Sequence, residues 1–360
     1  MKKGGWCITL MLILCFSREK VSAQASYSAG IKAFAGALYQ SLDPIQKRNA
    51  VLSFQDTARL QWNNLPIGLR ARAGTPLSGM NNDQRKLVHR ILSTSLSSQG
   101  YLKSTSIIHL DELLNKYYEG LHHKKAIADS VYAFIQALQW SPGNYFFAFF
   151  GNPLENTWGY KLEGHHLSVN FTFSGEKVSA TPFFMGTDPA EYPESDYAGL
   201  RVLGQEEDLG IRLITMLSAE QQKKATQSGE APQDIITSAE SGNRLLDYWG
   251  LKAAEMKPEQ QAVLQAMIRE YVFNLEYDKA LMEYDKILKA GIGEVYFGWI
   301  GPYEEKKPHY FVINGPTFLI EFDNNGGPRN AANHVHTIWR EKGNEYGEDL
   351  LKNHYKAEKH

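Results

Sequence analysis

Cysteine is almost absent. The chain of 360 residues has two, Cys7 and Cys15, both within the first fifteen positions. The rest of the chain therefore has no disulfide, no thiolate nucleophile and no thiolate metal ligand. An excess of one charge is lacking too, since 38 basic residues face 40 acidic ones for a net of −2. Such a balance argues against the basic face of a nucleic-acid binder. No segment approaches the roughly 18 uninterrupted apolar residues of a spanning helix, and the run Trp6–Phe16 has only 11. Familiar catalytic signatures are missing as well. There is no Gly-X-Ser-X-Gly elbow and no His-Glu-X-X-His helix. Gly291-Ile292-Gly293 leads into a strand without the lysine of a phosphate loop. No motif for an organic cofactor is present.

What remains suits a folded domain, with 43% apolar and 22% charged residues. The beginning of the chain reads as targeting. Lys2 and Lys3 precede the apolar run, and Val21-Ser22-Ala23 supplies the small or apolar residues that a signal peptidase reads. A lipoprotein site at Cys15 is disfavoured by the bulky Leu14 before it. The expectation is a cleaved signal peptide over 1–23, Gln24 as the new N-terminus, and a secreted or periplasmic product. That product has a net charge near −5 and no membrane span.

Residues 24–360 read as a single α+β domain. A helical block covers 27–140, where Asn81-Asn82-Asp83 can cap a helix carrying Leu87, Val88, Ile91, Leu92 and Leu96. Aromatic and β-branched residues then mark strands over 145–186. Helical spacing returns over 204–290, strands resume over 294–340, and 341–360 reads as a polar tail. The two strand blocks resemble each other. Aligning Gly164 with Gly315 pairs Leu167 with Phe318, Val169 with Ile320, Asn170 with Glu321 and Phe171 with Phe322. The expected architecture is a helical N-terminal half-unit and central helices around two similar three-stranded antiparallel β meanders, an internal repeat.

Period-two alternation sorts the side chains of those strands. Leu167, Val169 and Phe171 share one face, with His166, Ser168 and Asn170 opposite. Glu321 takes the position equivalent to Asn170, and His334 and His336 share a face two residues apart. The candidate metal set is His166, His334, His336 and Glu321. Imidazoles with a carboxylate suit one divalent ion, whether Zn, Mn, Fe, Ni or Cu. Such an ion polarises a carbonyl or phosphoryl group or activates water. Glu321 then serves as ligand or general base, Asn170 orients water or substrate, and Arg340 holds an anionic group. The structural alternatives are a metal-free polar pocket, a surface ion pair from Arg340 to Glu341 or Asp349, and a hydrogen-bonded core role for His165. Trp158, Trp299 and Trp339 either pack the core, their commoner use, or form a stacking wall for a ring.

The run Trp158-Gly159-Tyr160-Lys161-Leu162-Glu163-Gly164-His165-His166-Leu167-Ser168-Val169-Asn170 resembles the hallmark of the family catalogued as domain of unknown function 3500 (DUF3500). The similarity extends through Thr181–Gly186, Tyr310–Asn324, Asn333–Arg340 and Tyr346–Leu351. It covers nearly all of 24–360. It implies membership and, because members are often exported, agrees with the signal reading, but it implies no reaction. The expected function is a metal-dependent, hydrolase-like enzyme with its site between two β repeats. The alternative is a non-catalytic secreted protein whose aromatic and histidine groove binds a small molecule, sugar or peptide.

Overall fold

The computed structural model describes residues 27–325 and 332–357, with side chains to residue 352. The expected signal segment, both cysteines and His360 lie outside these residues. Residues 27–41 form helix α1, followed by α2 (Pro44–Ala50) and the short strand β1 (Val51–Leu52). Strand β2 (Thr75–Pro76) leads to α3 (Asn82–Ser95), α4 (Ser98–His123) and α5 (Asp129–Ala137). Strands β3 (Phe146–Phe150), β4 (Thr157–Gly164), β5 (Leu167–Ser174), β6 (Lys177–Ser179) and β7 (Phe183–Thr187) come next. The chain continues with α6 (Gly204–Met216), α7 (Ala219–Ala225), β8 (Thr226–Gln227), β9 (Leu251–Lys252), α8 (Pro258–Val272) and α9 (Tyr277–Ala290). It ends with β10 (Tyr296–Ile300), β11 (His309–Asn314), β12 (Phe318–Asn325), β13 (His334–Glu341) and α10 (Glu348–Ala357).

Local chemistry sets these boundaries. Asn81 starts α3 by accepting from the Gln84 N–H at 2.9 Å, and the Gln84 side chain returns to the Asn81 N–H, also at 2.9 Å. This reciprocal cap satisfies donors that the first helical turn leaves open. Asp43 and Ser218 cap α2 and α7 in the same way, with Gln46 and Gln221 as the returning side chains. Residues 341–360, expected as a polar tail, are not all tail. Glu345, Tyr346 and Gly347 are buried and lead into α10, because Tyr346 packs with Trp62, Phe184, Ile235 and Ile338.

The described strands make one mixed, mainly antiparallel sheet in the order β1-β3-β4-β5-β7-β13-β12-β11-β10-β8, with β2, β6 and β9 pairing β3, β5 and β10 from the side, so the chain combines helices with a single sheet. The sequence predicts three strands per block. Each block instead carries four on the main path, and the two join edge to edge through the antiparallel pair β7–β13. The ladder closes there because Phe183, Phe184 and Met185 pair with Trp339, Ile338 and Thr337. Leu167 lies across from Gly164, and Gly315 N–H donates to Phe318 O at 3.0 Å, so the aligned glycines hold the same place in two hairpins.

Alternation gives this sheet two different faces. Tyr160, Leu167, Val169, Phe171, Phe311, Ile320 and Phe322 lie in the main core with residues of the helices. Trp158, Trp299 and Trp339 are buried there too. The opposite face is covered by irregular chain. Trp62 packs on Phe184 and Ile338, while Ile236, Leu246 and Trp249 pack near Tyr310, Val312 and Leu319. Polar residues of the strands lie under this cover, away from the helices.

Candidate metal centre

His166 occupies the turn between β4 and β5 with φ of +60°, in the left-handed region that favours glycine. Holding a non-glycine residue there costs of order 1–3 kcal/mol and needs support from its surroundings. The backbone supplies it. His166 N–H donates to Asn64 O at 3.0 Å, and Gly186 N–H donates to His166 O at 2.7 Å.

His334 and His336 open β13. Their two-residue spacing puts both on the covered face, and the ladder places His336 opposite Gly186 on β7 and Asp323 on β12. The ring centroids of His166 lie 4.8 Å from His334 and 5.2 Å from His336, and those of His334 and His336 are 4.6 Å apart. His334 Nε2 lies 2.9 Å from His166 Nε2. One potential ligand atom from each of the three histidines falls within 4.8 Å of the others.

A missing side chain makes room for this approach. A Cβ on Gly186 would lie 2.8 Å from Val335 O, 3.0 Å from His336 Cδ2 and 3.1 Å from His166 Cδ2. Gly186→Ala is therefore expected to destabilise the fold by about 1–3 kcal/mol through overpacking. Urea denaturation measures this, and an unchanged midpoint would mean that the two rings are free to part.

Burial, followed by the neighbouring imidazoles and Arg72, pushes the His166 pKa well below the usual histidine value. Its ring is thus neutral near pH 7, with a lone pair available to an ion. Burial also opposes charge on His336, but its bond to Asp234 and the nearby Asp323, Asp234 and Asp188 outweigh this and raise its pKa. His336 Nδ1 lies 2.8 Å from Asp234 Oδ1 and 3.8 Å from Asp323 Oδ2. Its Nε2 lies 3.5 Å from Asn64 Nδ2. Asp323 is fully buried, which pushes its carboxyl up to about 8 despite the opposing His336 charge.

His165 is buried and turned to another partner. Its Nδ1 lies 2.6 Å from Asp111 Oδ1, and its ring stacks on His166 at 3.8 Å and near Trp140 at 5.8 Å. It braces the His166 ring from behind.

The structure thus brings together His166, His334 and His336 from the expected set. It does not bring Glu321, Asn170 or Arg340 to them. Glu321 accepts from Ile236 N–H at 2.7 Å, from Thr237 N–H at 3.1 Å, from the Thr237 hydroxyl and from Tyr310 OH at 2.7 Å. With its lone pairs engaged, the carboxylate locks the covering chain onto β12. Asn170 donates to Pro182 O at 2.8 Å and Ser168 Oγ at 3.1 Å. Arg340 donates to Glu345 Oε1 at 2.6 Å, Thr237 O at 2.6 Å and Thr237 Oγ1 at 2.9 Å. Its partner is neither Glu341 nor Asp349, and its four-residue offset from His336 is about 13 Å of strand.

Sequence reasoning missed Asp323, Asp234, Asn64 and Gly186. Asp323 was within reach of the alternation rule, since it shares the polar face with Glu321. Asp234 and Asn64 lie in irregular chain, where no period points to them.

A cavity of about 320 Å³ lies between the two covering segments, and none of the three histidines is among its lining residues. Trp62, Asn63, Arg70, Arg244, Arg340 and Tyr346 are among its lining residues. Among the described residues, no helix is long and apolar enough to cross a membrane.

No curated protein and no solved structure matches this chain. A family model described as "Protein of unknown function (DUF3500)" matches residues 24–348. With that match running through the strands, the covering segments and the histidine cluster, the chain belongs to the DUF3500 family.

Proposed function

We propose that this chain is an exported, metal-dependent enzyme with hydrolase-like chemistry, whose ion is held by His166, His334 and His336. One observation carries the reading: three imidazoles from two distant segments converge, with two Nε2 atoms 2.9 Å apart. A single proton shared between His166 and His334 satisfies that pair and leaves His336 aside, whereas one cation satisfies all three. Zinc bound by nitrogen at about 2.0–2.1 Å holds tetrahedral ligand atoms about 3.3 Å apart, so small ring rotations suffice. Three histidine ligands leave a fourth position for water or substrate.

A bound ion supplies Lewis acidity and a water that ionises near neutral pH. The chain's own residues prepare the position. Asp234 accepts the Nδ1 proton of His336 and fixes its tautomer, and such outer partners raise ligand basicity. The Asp111–His165 pair backs the ring of His166. Asn64 sets an amide near the His336 edge.

A second reading, a non-catalytic binder of a sugar or peptide, is favoured by the cavity beside Trp62 and Tyr346. Internal duplication is also part of the proposal. It is supported by the shared register of the two hairpins, and by the Gln46–Gln84 pair at 3.0 Å beside the Gln221–Gln260 pair at 3.0 Å, each joining one short capped helix to the next long one. Export rests on the pattern of residues 1–23.

Elemental analysis of the purified full chain tests the enzyme reading. At least one tightly held divalent ion per chain is expected after dialysis. Folded protein that keeps no ion after exposure to excess zinc overturns the metal centre and favours the binding protein.

A further inference from the structure

The two nitrogens of His336 face different surroundings. Its Nε2 is the nitrogen left for the three-histidine group once Nδ1 has turned to Asp234 and Asp323. On that second side Asp234 Oδ1 is 2.8 Å away and Asp323 Oδ2 is 3.8 Å away. Potential ligand atoms of Asp234, Asp323 and His336 all lie within 4.8 Å of one another.

Asp323 is the informative member. It is fully buried, and Asn325 Nδ2 holds its other oxygen, Oδ1, at 2.6 Å. The same amide nitrogen of Asn325 donates to Gln233 O at 2.8 Å, which fixes it in turn. The carboxyl group is therefore oriented, and Oδ2, the oxygen facing His336, has no hydrogen-bond partner. A buried polar oxygen without a partner costs free energy, and a bound cation removes that cost. The Asp234 side chain is about a third exposed, which gives an ion a way in from solvent.

We propose a second cation site formed by Asp234, Asp323 and His336 Nδ1, so that the His336 ring bridges two divalent ions. The site rests on the three-histidine centre of the preceding section for its partner ion. Two carboxylate oxygens and one imidazole nitrogen suit zinc or manganese, with water completing the shell. The proton balance is explicit. When the first ion alone is bound, Nδ1 keeps its proton and donates it to Asp234. Binding of the second ion forms bonds at Nδ1 and at the Asp323 carboxyl, which burial keeps largely protonated near pH 7; it breaks the N–H and O–H bonds and releases both protons to solvent, leaving an imidazolate bridge.

Titration of the metal-free full chain with zinc, followed by calorimetry and elemental analysis, tests the site. Wild-type protein is expected to bind two equivalents tightly. Asp323→Asn and Asp234→Asn are each expected to bind one, and the second of these changes a residue in irregular chain, where folding is least at risk. His334→Ala is also expected to keep only one tight equivalent, at the aspartate side. A wild-type stoichiometry of one, unchanged in both aspartate variants and lost in His334→Ala, overturns the second site and leaves the three-histidine centre standing. A second equivalent that persists in both aspartate variants also overturns it. No tight zinc in any of these proteins overturns both.

Discussion

Replacing His334 by alanine is expected to weaken the ion at the three-histidine group by well over 100-fold. Loss of an outer-shell partner alone typically costs 10–100-fold, and the proposed centre makes His334 a direct ligand. His334 is the least buried of the three rings, so its removal opens little space in the core. The fold is therefore expected to survive, which separates ion loss from unfolding. Competition against a chelator of known affinity measures the effect, with far-ultraviolet circular dichroism as the check on folding. An affinity unchanged in His334→Ala would place the ion elsewhere.

Arg340→Met has the larger effect on stability. The guanidinium is 2% exposed and holds Glu345 and Thr237 against the underside of β13. Methionine fills much of the volume but leaves the Glu345 carboxylate buried without its closest cation. Removing one member of a buried pair costs about 3–5 kcal/mol. Urea denaturation is expected to show a loss of that size. The double variant Arg340→Met, Glu345→Gln should recover part of it, because no unpaired charge is then buried. Ion affinity should move little in either protein. A variant that folds as well as wild type but loses a ligand would restore the anion-binding role first expected of Arg340.

These predictions divide along a line visible in the sequence. The alternation Leu167, Val169, Phe171 against His166, Ser168, Asn170 assigns faces correctly, because a strand has a strict period of two and one face must be buried. The same rule places His334 and His336 together. Gly164 and Gly315 mark equivalent hairpin positions, and the aligned residues Asn170 and Glu321 do take equivalent places in the ladder, across from Lys161 and Val312. Equivalent place did not mean a shared site. Asn170 lies four positions beyond His166, and that span carries it well away from the turn. In this alignment the counterpart of His166 is Thr317, so only one of the two hairpin turns presents an imidazole.

Glu321 shows where the reading ran short. On the polar face its carboxylate had two choices, an ion or backbone donors from another segment. The donors came from Ile236 and Thr237, in chain with no regular pattern. Asp323, one pleat repeat further along, faces His336 because the antiparallel ladder pairs these residues directly. That pairing depends on the register between β12 and β13, which side-chain periodicity leaves open.

The sequence by itself determined the alternating faces, the helix caps, the aromatic strand blocks and the presence of histidines suited to an ion. Each follows from local rules that act over a few residues. Only the tertiary structure decided that β7 and β13 join the blocks into one sheet, that Gly186 lets the rings approach, and that Asp234 and Asp323 rather than Glu321 flank His336. Those outcomes depend on strand register and on irregular segments laid across the sheet. Contacts between residues a hundred or more positions apart leave no periodic trace in the chain.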